Sequence, residues 1–527
     1  MRLNISIHNA NVKEHGEILK ADKHHLLFGE TGACISWQLF QLRKRLFKEK
    51  EKKEDFYNKV IEIFVQKERR MDFIYKNRYC NTTDNELNYW GLDYPPLTAY
   101  HSLICAHVAK IINPEWVQLH KSRGYESTSH KLFMRTTVLV ADLLIYIPAV
   151  VLYCLWINDG SIKKKVCTLL CFLMYPGLLL IDYGHFQYNA VSLGFALWAV
   201  LALGLGWDAL GSMAFTMALN YKQMELYHAL PFFCYLLGKC VKLGLRGRGL
   251  LLFLKVAATV LVTFALCWLP FLSDPSQALQ VLRRIFPVSR GLFEDKVANT
   301  WCSLNVLIKI RSILSGDFQL YLSMACTILA VLPSCIQVLK KPTFWQFKVA
   351  MVNSSLAFFL FSFHVHEKSI LLASLPVCLF LNDLPLMAIW FLQASTFSML
   401  PLFLKDGLFV PYVVTSLAFL FLGTYLLSAL DHCSEEELGL EGYRKLLFFP
   451  PNLDLACIVR WKFYISVTAM ACLSAANVTF DTPPHLPDLF PVLVSTFAFV
   501  HFLGMFIYFN VIQFNTLPSR KRQKKNK

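Results

Sequence analysis

The densest group of ionisable residues at the end of any apolar run in this chain is HVHEKS, His364 to Ser369, set between two apolar stretches. His364 and His366 share one side if the backbone is extended and diverge if it is helical. The H-x-H-E order lacks the H-E-x-x-H spacing of a zinc site, and no third ligand is evident, so a metal is the lesser reading. Imidazolium and ammonium groups better suit a departing phosphate, with His364 and His366 as catalytic groups and Glu367 and Lys368 as substrate ligands. The plain alternative is a polar helix end.

Three further clusters carry similar chemistry. In NYWGLDYPP, Asn88 to Pro96, Asp93 and Tyr94 stand before a Pro-Pro corner. A carboxylate on such a stiff turn can act as a general base or orient a sugar hydroxyl; a turn-capping aspartate is the equal alternative. In DYGHFQYN, Asp182, His185, Gln187 and Asn189 supply hydrogen bonds, while Tyr183, Phe186 and Tyr188 supply stacking faces. In SRGLFEDKVAN, Arg290 beside Gly291 suits bidentate phosphate binding, although Glu294 and Asp295 could neutralise it in a structural pair. Tyr221, Gln223 and Glu225 form a smaller polar turn in NYKQMELYHALP. A carboxylate, imidazoles, an arginine, amides and aromatics together suit a glycosyl donor carried on a lipid phosphate.

The elements that must position these groups are membrane helices. The chain has 527 residues, 55% hydrophobic and 17% charged, which a soluble globular protein rarely shows. Apolar runs lie at about 138–157, 166–181, 189–207, 209–220, 226–238, 250–272, 318–338, 345–363, 369–382, 384–404, 408–429, 462–480 and 487–511, roughly thirteen spans. The short runs at 166–181, 209–220 and 369–382 admit a re-entrant reading. Residues 97–112 suit a helix lying on the bilayer surface. The expected class is an all-α polytopic membrane protein.

Charge sets sidedness. The net charge of +16 is concentrated in short loops (Lys163 to Lys165; Lys239, Lys242, Arg246 and Arg248; Lys340 and Lys341) and in the tail from Arg520 to Lys527. That is the pattern of cytosolic loops rather than of nucleic-acid binding. Counting spans between these loops puts all four polar clusters on the opposite, lumenal side. Ionisable groups are costly near lipid, so clusters gathered at one face imply one shared site. Most of the 16 cysteines lie in apolar runs as small hydrophobes; Cys80 and Cys302 either pair or stay as thiols. Asn81 and Asn477 head glycosylation sequons, whereas the sequon at Asn353 falls inside a span. Lys524 and Lys525 resemble a dilysine retrieval signal of endoplasmic reticulum membrane proteins.

The clusters NYWGLDYPPLTAYHS, RGYES, FMRTTVLVADLLIY, DYGHFQYNAVSLG, RGLFEDKVANTWC and FSFHVHEKSILL, taken in order from about Tyr79 onward, closely resemble the dolichyl-phosphate-glucose glucosyltransferases of asparagine-linked glycosylation. The pattern is nearest to members that add the first glucose to the nine-mannose lipid-linked oligosaccharide; members adding the second glucose are the near alternative. The resemblance implies a glycosyltransferase C-type fold in the endoplasmic reticulum membrane. It implies dolichyl phosphate glucose as donor, a dolichyl-pyrophosphate-linked oligosaccharide as acceptor and an inverting alpha-1,3 transfer with no metal or other cofactor. A non-enzymatic carrier or flippase for a lipid-linked sugar is the alternative from another class.

The resemblance also divides the chain. Residues 1–78 form a charged segment in place of the family's first transmembrane helix and its loop with a G-D-Y-E-A-type aspartate; 79–513 form the multi-span domain and 514–527 the basic tail. Asp72, in RRMDFIYK, does not match that aspartate. Asp93 matches the family's second lumenal aspartate, in D-Y-P-P. A replaced start, a catalytically weakened paralogue and Asp93 as sole base are the three readings of this departure.

Overall fold

The computed structural model describes residues 92–118, 122, 125, 127–244, 246–272, 274–286, 296–431, 433–446, 450 and 452–515. Arg290, Glu294, Asp295, Asp72, Cys80, Asn81, the segment 1–78 and the dilysine tail lie outside these residues, as do the expectations attached to them. Every described element is helical.

Among the described residues, eight helices are long and apolar enough to cross a membrane. They are α2 (Thr128–Trp156), α3 (Ile162–Phe186), α7 (Arg248–Phe271), α10 (Gly316–Lys340), α11 (Phe344–Phe361), α15 (Phe409–Leu426), α16 (Leu455–Thr479) and α17 (Leu489–Asn515). At 1.5 Å per residue, helices of this kind span about 30 Å of hydrocarbon. Shorter helices complete the path: α1 (Pro96–Ile112), α4 (Asn189–Gly204), α5 (Asp208–Tyr221), α6 (Leu226–Lys242), α8 (Pro275–Ile285), α9 (Thr300–Leu307), α12 (Ile370–Cys378), α13 (Pro385–Ser398) and α14 (Leu400–Lys405). Among the described residues eight helices pass on length and composition, and the remaining apolar runs lie mostly on the shorter helices. The run at 166–181 belongs to the 25-residue α3, which is long enough to cross outright.

Local sequence explains the starts. Side chains of Ser127, Ser161, Ser315, Thr343 and Asp454 accept hydrogen bonds from the N–H groups of His130, Lys164, Phe318, Gln346 and Cys457, capping α2, α3, α10, α11 and α16. Pro96, Pro275 and Pro385 open α1, α8 and α13, where their missing N–H has no cost. Asp142 to Tyr146 and Leu180 to Phe186 are wider, π-type turns, inside α2 and at the end of α3. Both carry polar groups of the polar end, in keeping with the habit of such turns to mark functional sites.

Burial separates an inner from an outer ring. In the most apolar stretch of α7 only 11% of residues are buried, and Leu251, Leu261, Val262 and Leu266 face outward, as expected beside lipid. All of α12 is buried, as is α13 beyond Pro385. Helices enclosed by protein need not match the bilayer thickness, because neighbours rather than lipid surround their ends. The inner ring also holds polar residues. Ser334 Oγ and Asn353 Nδ2 donate to Gln513 Oε1 at 2.5 and 2.8 Å, and Gln346 Nε2 donates to the Gln513 carbonyl at 3.0 Å. Asn353 is fully buried in this network, which removes it as a glycan acceptor.

The helices carry the chain between two chemically different ends. At one end Lys239 pairs with Asp208 at 2.6 Å, Gly238 packs on Leu339 and Pro342, and Gly204 packs on Ile157 and Phe344. The basic loops near 163–165, 239–248 and 340–341 gather there. Lys348 also belongs to this end, paired with Asp383 at 2.8 Å and lying 4.7 Å from the Phe380 ring centre. The polar clusters gather at the other end.

Candidate active site

Three sets of contacts build the polar end. The first joins His185, Lys368 and Asp406. His185, on the final π-type turn of α3, has Nδ1 2.5 Å from Asp406 Oδ2 and Nε2 3.2 Å from Lys368 Nζ. A carboxylate only accepts and an ammonium only donates, so Nδ1 carries the ring proton and Nε2 accepts from Lys368. The side chains of His185 and Asp406 are only 8% and 12% exposed.

The second set centres on Asp182, which is fully buried. Its two oxygens accept from Asn189 Nδ2 and from the Ala190 N–H, each at 2.7 Å. Asn189 Nδ2 also donates to Gln187 Oε1 at 3.0 Å, and Lys222 Nζ donates to Asn189 Oδ1. Burial pushes the Lys222 ammonium down to about 8, and the charge of Lys368 adds to this, against the opposing pull of Asp182 and Glu225. Lys222 and Lys368 are thus close enough to repel.

The third set fixes the D-Y-P-P corner. Arg284, at the end of α8, has Nη2 2.6 Å from Asp93 Oδ1. Gln223 Nε2 donates to the carbonyls of Asp93 and Ile285 at 2.8 and 3.2 Å. Nearby, His101 Nδ1 lies 2.7 Å from Tyr221 Oη, and its ring meets Tyr188 edge-on at 4.7 Å between centres. Burial pushes His101 down to about 4, so it is neutral. The Tyr183 hydroxyl donates to Asp142 Oδ2 at 2.6 Å.

The HVHEKS segment follows α11. His366 is extended (φ −98°, ψ 153°), and Glu367 to Ser369 make a single 3-10 turn. Val365 is buried between the half-buried His364 and His366, the alternation expected of extended backbone. Phe363 packs on the His364 ring at 4.9 Å. Glu367 Oε2 is buried without a hydrogen-bond partner among the described residues. Among those residues, no three His, Cys, Asp or Glu side chains are grouped to hold a metal.

The structure therefore gathers Asp93, Tyr94, His185, Gln187, His364, His366, Glu367 and Lys368 at one end. It links His185 to Lys368 directly and Asp93 to the Gln223 turn. Arg290 lies outside the described residues. Sequence reasoning passed over Lys222, Arg284, Asp142 and Asp406. Two of these had a signal: Asp142 is a lone carboxylate inside an apolar run, and Lys222 lies within the NYKQMEL turn.

A polytopic helical protein with paired cations and carboxylates at one membrane-facing end fits a class of enzymes acting on lipid-linked, phosphate-bearing sugars. The profile of the ALG6, ALG8 glycosyltransferase family matches residues 75–508, and the chain belongs to that family. It is 59% identical over 455 residues to a dolichyl pyrophosphate Man9GlcNAc2 alpha-1,3-glucosyltransferase of Gallus gallus, covering 85% of this chain and 89% of the relative. The corresponding Rattus norvegicus protein is 57% identical over 452 residues, with the same coverage. A Drosophila melanogaster protein named as a probable enzyme of this kind is 43% identical over 439 residues, covering 83% and 88%.

Proposed function

We propose that this chain transfers glucose from dolichyl phosphate glucose to a dolichyl-pyrophosphate-linked Man9GlcNAc2 oligosaccharide, in alpha-1,3 linkage and with inversion. The observation that carries this is the convergence of Lys222, Lys368 and His185 with Asp93 and Glu367 at one end of a family member whose relatives are named dolichyl pyrophosphate Man9GlcNAc2 alpha-1,3-glucosyltransferases. The proposed setting is the endoplasmic reticulum membrane, with the polar end lumenal and the basic end cytosolic; the loop charges support this orientation. The proposed domain division remains 1–78, 79–513 and 514–527.

The reaction needs little more than these groups. The acceptor hydroxyl oxygen attacks C1 of glucose while the bond from C1 to the phosphate oxygen breaks on the opposite face. The hydroxyl proton passes to a carboxylate, for which we propose Asp93; Arg284 fixes the plane of that carboxylate and shares its charge. The phosphate leaves as a monoester and gains one negative charge. Lys368, Lys222 and Arg290, with His364 and His366, are proposed to meet that charge. Gln187, Tyr94 and the buried Glu367 oxygen are proposed to take sugar hydroxyls.

The test uses microsomes from cells lacking the endogenous enzyme, supplied with this chain or with the Gallus gallus relative, and with labelled dolichyl phosphate glucose. A labelled nine-mannose lipid extended by one glucose is expected in both. Extension by the relative alone would overturn the proposal for this chain, and label moved across the membrane without a new glycosidic bond would favour a carrier.

A further inference from the structure

We propose that Asp406, in the turn between α14 and α15, is a positioning residue of the transferase site. It fixes the tautomer of His185 and, through it, sets the Lys368 ammonium against the donor phosphate. This rests on the transfer reaction proposed above. No cluster read from the sequence includes Asp406, and the turn that carries it lies more than thirty residues beyond HVHEKS.

The turn is built to a fixed geometry. α14 ends at Lys405, and Gly407 adopts φ +69°, a left-handed conformation that favours glycine. The Gly407 and Leu408 N–H groups donate to the carbonyls of Leu404 and Phe403 at 3.2 and 2.8 Å, closing the helix end. Leu408 then packs against Gly184, one residue before His185. A Cβ at Gly184 would lie 2.7 Å from Leu408 Cδ1, so with glycine there the Leu408 side chain packs directly on the helix end. Aspartate and histidine are short side chains, and both ends of their contact are held by backbone. The contact is a consequence of how α3 docks on the turn rather than a meeting of flexible arms.

Its chemistry is directional. Asp406 accepts the Nδ1 proton of His185, so Nε2 presents its lone pair to Lys368. Carboxylate, neutral imidazole and ammonium together carry no net charge. Without Asp406 the ring is free to turn or to gain a second proton, and an imidazolium would repel Lys368. Lys222 also lies close enough to that ammonium to repel it, so its position is set by competing charges. The donor phosphate gains charge only as the C1–O bond breaks. A misplaced ammonium therefore weakens the transition state more than the bound donor, and the loss falls on kcat rather than on KM.

The experiment measures kcat and donor KM for the full-length chain in the microsomal assay. Asp406→Ala is expected to lower kcat about tenfold or more, with donor KM changed less than about threefold and protein level unchanged. Asp406→Asn keeps an acceptor for the Nδ1 proton and is expected to retain more of kcat than alanine does. Gly184→Ala, whose Cβ would crowd the Leu408 side chain on the turn, is expected to reproduce part of the loss, and Leu408→Ala added to it should restore kcat. Near wild-type kcat in both Asp406→Ala and Gly184→Ala overturns the proposal, as does a loss confined to KM. If Asp406→Ala does not accumulate, the Gly184→Ala and double-variant pair decides the matter. An inactive wild-type chain would overturn the parent reading itself, which separates the two failures.

Discussion

Lys222 gives the polar end a measurable dependence on pH. Its ammonium is held at about 8 against an ordinary 10.5, with burial the larger cause and Lys368 the next. The groups facing it are Asn189, Asp182, Glu225 and Lys368. If its charge helps capture the donor phosphate, kcat/KM for the donor should follow its protonation in the free enzyme. With a midpoint at about 8, about 90% of the group is charged at pH 7 and about 10% at pH 9, so kcat/KM should fall roughly ninefold across that interval. A lysine with the ordinary value would lose about 3% of its charge by pH 9. The bound phosphate favours the cation, so kcat should begin to fall at a higher pH than kcat/KM does. Initial rates with subsaturating labelled donor between pH 6.5 and 9.5 would resolve the limb. Lys222→Arg, whose side chain stays charged throughout, should abolish it, and Lys222→Met should be slow at every pH. A flat wild-type profile to pH 9.5, or an unchanged limb in Lys222→Arg, would refute the reasoning.

Other perturbations separate site from scaffold. Asp93→Asn and His364→Ala should each cut glucose transfer strongly without lowering protein level, and wild-type rates in both would end their assignment to the site. Lys348→Met leaves Asp383 without its ion-pair partner at the basic end. Breaking a fully buried pair costs roughly 3–5 kcal/mol, and with Asp383 30% exposed the expected loss is about 2 kcal/mol, read as a lower melting temperature in detergent with turnover per folded molecule retained. Asn353→Leu strips a donor from Gln513 Oε1 in the inner network and should cost about 1–3 kcal/mol by the same measurement.

What the sequence made legible, and what it did not, follows from the range of the forces involved. Apolar runs report spans directly, because a lipid-facing helix such as α7 must be apolar almost all round. The shorter runs were equally visible but could not be sized as spans. α12 has nine residues and is wholly buried, and nothing in ILLASLPVC distinguishes a helix enclosed by protein from a fragment of a lipid-facing one. The one-ended gathering of clusters was legible because each run reverses direction, so charge in a few loops orders all the others. Individual contacts were not. Asp93 is tied to Arg284 across a sequence separation of nearly two hundred residues, and His185 to Asp406 across more.

The Asp406 case shows where such blindness has a remedy. The same parity that places His185 and Lys368 at one end also places the Lys405-Asp406-Gly407 turn there, because α13 and α14 carry the chain back from the basic end. A carboxylate in a tight turn between two apolar helices, on the side already holding several cations, calls for a partner: near lipid a lone charge is costly unless another charge meets it. The question to ask of such a residue is which cation or ring it reaches. Gly184 supplies the answer's geometric half, since a glycine inside a polar helix end leaves room for a neighbour to come close, here the Leu408 side chain. Parity gives the end, the glycine gives the approach, and the charge gives the partner. If Gly184→Ala leaves kcat untouched, that chain of inference fails at its second link, and the apposition of α3 and the turn is packing alone.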